Sequence, residues 1–93
     1  MIQSFGDKRT RALYDGDKPR GFPPDLVRAA VIRLEQLNYV VRVESLRIPP
    51  SNRLEKLGGK GKDFWSIRIN DQWRVIFKWT DMGPTDVQVI DYH

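Results

Sequence analysis

Two segments of strict alternation, separated by three residues, constrain this chain more than any other feature. Trp65, Ile67 and Ile69 share one side of the first, and Trp73, Val75, Phe77 and Trp79 share one side of the second. A period of two marks a strand with one buried face. The pair therefore predicts an antiparallel hairpin across Asn70-Asp71-Gln72, which has turn chemistry but lacks the glycine a tight hairpin favours. Directly opposed residues point to the same face. A two-residue loop would set Arg68 against Trp73 and mix the two faces. A three-residue loop sets Ile69 opposite Trp73, Ile67 opposite Val75 and Trp65 opposite Phe77, so core meets core throughout. It also sets Arg68 opposite Arg74. Opposed like charges cost a few tenths to about 1 kcal/mol; either a nearby anion relieves them or both side chains snorkel into water.

Upstream the period is helical. Leu26, Val27, Ala30, Val31, Leu34 and Leu37 recur at helical spacing, and Pro24 suits a first turn, so residues 24–37 are expected to form a helix. A shorter helix opens at Asp7, a good N-cap, and closes at Gly16, with Leu13 and Tyr14 as its anchors. Residues 1–5 read as a short strand and residues 40–47 as a less regular stretch. Pro49-Pro50 then starts an extended segment. A last strand is expected over residues 86–91, after a turn at Met82-Gly83-Pro84.

Ninety-three residues suffice for one small domain and not for two. With 40% hydrophobic residues, three Trp and four Phe, a packed core is expected rather than disorder. The N-terminus has no apolar leader region and no stretch approaches a membrane span, which predicts a cytoplasmic protein without membrane contact. No Cys and a single His exclude disulfides, thiol nucleophiles and zinc fingers, and leave no expectation of a metal or cofactor. Catalysis would fall to carboxylates, one imidazole, Tyr, Lys and Arg.

The net charge of +4 favours a polyanionic partner. From Arg53 to Lys78 there are seven basic residues (Arg53, Lys56, Lys60, Lys62, Arg68, Arg74 and Lys78) against Glu55, Asp63 and Asp71. Phe64 and Trp65 lie within that stretch as possible stacking partners for bases, although Trp65 also fits the core. The stretch reads equally as a phosphate-binding surface or as a solvated charged face. Gly58-Gly59-Lys60-Gly61-Lys62 lacks the spacing of a nucleotide-binding loop and reads as a basic turn between two strands. His93, after Asp91 and Tyr92, is either a chain-end residue or a titrating group.

Three segments carry a resemblance to HigB-type toxins of the RelE superfamily. They are Asn52-Arg53-Leu54-Glu55-Lys56-Leu57-Gly58-Gly59, then Trp65-Ser66-Ile67-Arg68-Ile69-Asn70-Asp71-Gln72-Trp73-Arg74-Val75-Ile76-Phe77, then Asp91-Tyr92-His93. Ile2-Gln3-Ser4-Phe5 is similar to that family's opening, so the resemblance spans nearly the whole chain. It implies a single α+β domain over residues 1–93, with an N-terminal strand and two helices packed on a twisted, largely antiparallel sheet. It also implies cleavage of messenger RNA in the A site of a translating ribosome, and inhibition by a small helix-turn-helix antitoxin.

The implied chemistry is attack of a ribose 2′-OH on its own phosphate, giving a 2′,3′-cyclic phosphate and a free 5′-OH without metal. That reaction needs a proton acceptor, a cation for the phosphorane oxygens and a proton donor. The resemblance assigns Asp91 and His93 to proton transfer, Arg74 to charge stabilisation and Tyr92 to positioning a base. It leaves Arg53, Lys56, Lys60, Lys62 and Arg68 to hold RNA. Two positions depart from the pattern: Glu55 stands where some relatives have His, and Gly58 where many have Lys, so Lys56, Lys60 or Lys62 would replace the missing cation. Acid and base among Asp91, His93 and Glu55 stay open. The rival readings are a ParE-like inhibitor of DNA gyrase and an RNA-binding module without catalysis.

Overall fold

Two helices and four strands follow one another as α1 (Lys8–Tyr14), α2 (Pro24–Tyr39), β1 (Glu55–Lys56), β2 (Phe64–Arg68), β3 (Trp73–Thr80) and β4 (Gly83–Asp91). They are seen in a computed structural model that describes residues 1–92. The result is the expected α+β arrangement, two helices against a four-stranded antiparallel sheet of order β1-β2-β3-β4.

Each helix forms for a local reason. The Asp7 carboxylate accepts a 2.7 Å hydrogen bond from the Thr10 N–H and caps α1, satisfying a donor the first turn would leave open. Gly16, at φ +95°, lets the chain turn back at the other end, where the Asp17 N–H reaches the Ala12 carbonyl at 2.9 Å. α2 starts with Pro24 in its first turn and buries Leu26, Ala30, Leu34 and Leu37. It runs past Leu37 to Tyr39. The Thr10 hydroxyl, fully buried, accepts from the Val89 N–H at 2.9 Å and fastens α1 to β4.

The hairpin register is the one derived from alternation. Trp65 faces Phe77, Ile67 faces Val75 and Arg68 faces Arg74, and the Ile69 N–H donates to the Trp73 carbonyl at 2.9 Å across the three-residue loop. Glycine is not needed there because the Asn70 side chain accepts from the N–H groups of Gln72 and Trp73, at 2.9 and 2.8 Å. Ile67, Val75, Phe77, Val87 and Val89 meet Leu13, Leu26, Leu34 and Leu37 in one core. Asn52 pins the segment entering β1 to α2: it is fully buried, and its Nδ2 donates to Gln36 Oε1 at 2.9 Å and to the Leu46 carbonyl at 3.0 Å.

Three expectations are corrected. Residues 1–5 do not form a strand. They run parallel beside β4 with one bridge, Phe5 to Val87, and bonds from the Gln3 N–H to the Pro84 carbonyl and from the Val87 N–H to the Ser4 carbonyl. A full ladder is blocked because Pro84 has no N–H and β4 bulges at Asp86, φ +51°, where its register with β3 shifts between Ile76 and Lys78. β4 begins at Gly83 rather than Asp86, with Pro84 tolerated on the outermost strand of the sheet. Pro49-Pro50 leads not into an extended segment but into a short 3-10 turn over Pro50–Asn52, while Trp65 packs against the core as its alternation predicts, half-buried. Among the described residues no helix is long and apolar enough to cross a membrane.

Candidate functional site

The helices cover one face of the sheet, and alternation brings Ser66, Arg68, Arg74, Ile76, Lys78, Gln88 and Ile90 to the other. Glu55 lies opposite Ser66 and joins this face from β1. Arg74 is its centre. One guanidinium nitrogen donates to the Ser66 hydroxyl at 2.7 Å, and the other lies 3.7 Å from a Glu55 carboxylate oxygen. The guanidinium carbon is 4.9 Å from the centre of the Tyr92 ring. With only 13% of its side chain exposed, Arg74 is a held charge rather than a waving one, while Glu55 at 52% stays open to solvent.

Arg68 and Arg74 oppose each other as expected, but their charged ends diverge. Arg68 pairs with Asp71 in the hairpin loop while Arg74 turns to Ser66 and Glu55. Carboxylates of the chain itself relieve the repulsion, an outcome neither an external anion nor simple snorkelling describes. Arg33 of α2 adds a bond from its Nε to the Arg68 carbonyl at 3.1 Å.

The C-terminal residues divide between two sides. Asp91 opposes Trp73, on the helix-facing line of β4, and accepts from Gln72 Nε2 at 3.0 Å. Tyr92 follows on the Arg74 side, and its N–H donates to the Gln72 carbonyl at 2.6 Å. Gln72 therefore ties both residues to the hairpin loop and holds the Tyr92 ring near the guanidinium. His93 lies outside the described residues. Lys56 sits over the Trp65 ring, 5.1 Å from its centre; Arg53 is exposed just before β1, and Lys60 and Lys62 are exposed in the turn between β1 and β2. At Gly58 an added Cβ would meet nothing within 4 Å, so the backbone there is open to solvent rather than packed.

Sequence reasoning missed Ser66 as a partner of Arg74. The signal was present, since Ser66, Arg68 and Arg74 share a face in the derived register. It also counted Lys78 and Phe64 without pairing them; they oppose each other, with the ammonium 5.3 Å from the ring centre. Among the described residues no group of three or more His, Asp or Glu side chains comes together to hold a metal ion. What the face offers is a fixed guanidinium for an anion, a carboxylate beside it for a proton, and a phenol ring to cover a planar group.

A small α+β domain whose open sheet face centres on a clamped arginine defines the class, and sequence comparison defines the family. The model for the RelE-like toxin of the type II toxin–antitoxin system HigB matches residues 3–93. The chain is 42% identical over 82 residues to Toxin HigB-1 of Vibrio cholerae, covering 87% of this chain and 86% of that one. It is 34% identical over 78 residues to an uncharacterized protein of Haemophilus influenzae, covering 83% and 77% of the two chains. Endoribonuclease HigB of Proteus vulgaris is 26% identical over 93 residues, all of both chains. This chain belongs to the HigB family of RelE-like toxins, and membership implies an antitoxin partner.

Proposed function

We propose that this toxin is an endoribonuclease that cuts messenger RNA on the sheet face centred on Arg74. The observation that carries the reading is the clamped Arg74 guanidinium, held by Ser66 with Glu55 and the Tyr92 ring beside it. The scissile phosphate binds the guanidinium, which stabilises charge growing on the phosphorane oxygens. The ribose 2′-oxygen attacks phosphorus, its proton passes to the Glu55 carboxylate, and the departing 5′-oxygen takes a proton from His93. A cyclic phosphate and a 5′-OH result, without metal or cofactor. Asp91, through Gln72, positions Tyr92, and Tyr92 stacks on a neighbouring base. Arg53, Lys56, Lys60, Lys62 and Arg68 supply phosphate contacts.

In this reading the toxin acts in the cytoplasm on messenger RNA in the ribosome, which orders the substrate while the toxin supplies charge and proton transfer. Its antitoxin is a small helix-turn-helix protein. The name of the Proteus relative supports the nuclease assignment. The test is brief induction followed by mapping of messenger RNA ends. New 5′-OH ends with the wild type and none with Arg74→Ala are expected. Growth arrest with intact messenger RNA and impaired supercoiling would replace this reading with gyrase inhibition.

A further inference from the structure

Phe64 is an aromatic residue that the fold does not use for its core. Its strand neighbour Trp65 packs against the core cluster; Phe64 stands outside that cluster, half-buried on the open face. It faces Lys78 directly across the β2–β3 pair, and the Lys78 ammonium lies 5.3 Å from its ring centre. Arg74 and Tyr92 form the corresponding cation and ring at the other end of the same face, 4.9 Å apart. Lys78 lies four residues beyond Arg74 on β3, about 13 Å away at ~3.3 Å per residue, with half-buried Ile76 and Gln88 between them. That span exceeds one stacked base step of ~3.4 Å along a strand. A contrasting pair exists on the helix side: Arg9 lies over Phe22, but the Phe22 ring is buried against Trp73 and belongs to the core.

We infer that Lys78 and Phe64 form a second RNA subsite, which takes a single-stranded nucleotide flanking the one cleaved, its phosphate on Lys78 and its base on the Phe64 ring. This rests on the reading of the Arg74 face as the cleavage site. The chemistry is that of single-strand binding, where a cation tracks the backbone and a ring accepts any base. One group opposes it. The Asp86 carboxylate lies 3.7 Å from the Lys78 ammonium, at the bulge where Asp86 adopts φ +51°, and competes with phosphate for that cation. Binding exchanges the carboxylate and the ring face for a phosphate and a base.

The test measures binding of an uncleavable 2′-O-methyl twelve-nucleotide RNA by fluorescence anisotropy over a range of salt. Lys78→Gln should weaken binding and lower the log–log salt slope by about 0.7, the value for one single-strand phosphate. Phe64→Leu, which keeps the charge, should weaken it by roughly 5- to 150-fold, the span for one base on one ring. Asp86→Asn, which tolerates the left-handed backbone, should tighten it. Lys18→Gln, at an exposed site away from the sheet face, serves as the charge control, and melting curves establish that each variant is folded. Wild-type affinity and slope in both Lys78→Gln and Phe64→Leu, while Arg74→Ala weakens binding, would overturn the subsite and leave the cleavage face standing. Wild-type affinity in Arg74→Ala as well would overturn both.

Discussion

Arg74 donates a 2.7 Å hydrogen bond to the hydroxyl of Ser66, a side chain with no solvent exposure. Opposed like charges alone would make Arg74→Leu neutral or stabilising, but this bond reverses the expectation, because removal strands a buried hydroxyl. Ser66→Ala should cost about 1–3 kcal/mol by leaving a guanidinium N–H without its acceptor. It should also lower the cleavage rate by loosening the charge that faces the phosphorane, with Ser66→Thr restoring both. Melting curves and single-turnover rates are the measurements; full activity in a folded Ser66→Ala protein would remove Ser66 from the site.

Glu55 competes with substrate for Arg74 and also accepts the substrate's proton in the proposed mechanism, so its two roles predict opposite signs. Glu55→Gln should bind an uncleavable RNA more tightly, since a carboxylate 3.7 Å from the guanidinium has gone. It should cleave about 10²–10⁴-fold more slowly, the usual size of acid–base catalysis. Equal cleavage by variant and wild type would transfer the base role to Asp91 or His93.

Removal of His93 separates folding from chemistry. If its role is proton transfer alone, the melting curve and antitoxin binding should match the wild type. Loss of the proton donor should lower cleavage by about 10²–10⁴-fold, with His93→Gln doing the same. A truncated protein that arrests growth as fast as the wild type would exclude the acid role and revive gyrase binding.

Gly83 is the point where β4 meets the N-terminal segment. Its φ is +126°, and an added Cβ would lie 2.3 Å from the Met1 carbonyl oxygen. Gly83→Ala should therefore destabilise the fold by more than about 1 kcal/mol, through strain and displacement together. Thermal unfolding checks this, and an unchanged midpoint would mean that the N-terminal residues yield at no cost.

The parts legible in sequence are those governed by repetition. Alternation in residues 64–69 and 73–79 fixes not only two strands but their register, down to Arg68 opposite Arg74, because a slip by one residue would expose the core. The helical spacing in residues 24–37 is equally explicit. What escaped depends on single residues acting across distance. Residues 1–5 look like a strand by composition, yet Pro84 and the bulge at Asp86 deny them a ladder. The direction of a long side chain is not periodic either: nothing in the pattern says that Arg68 turns to Asp71 while Arg74 turns to Ser66 and Glu55. Asp91 and Tyr92 are adjacent in the resemblance but turn to different partners, Asp91 to the Gln72 side chain and the Tyr92 ring to Arg74.

The central claim is that the 2′-OH of the substrate is the nucleophile and that Arg74 stabilises its attack. It is tested most directly with a messenger RNA carrying one 2′-deoxynucleotide at the mapped cut site, programmed into ribosomes and incubated with the toxin. The predicted result is that the all-ribose RNA yields a 2′,3′-cyclic phosphate and a 5′-OH while the single-deoxy RNA stays intact at that position, as does the all-ribose RNA with Arg74→Ala. Cleavage of the deoxy position at the wild-type rate would contradict the account.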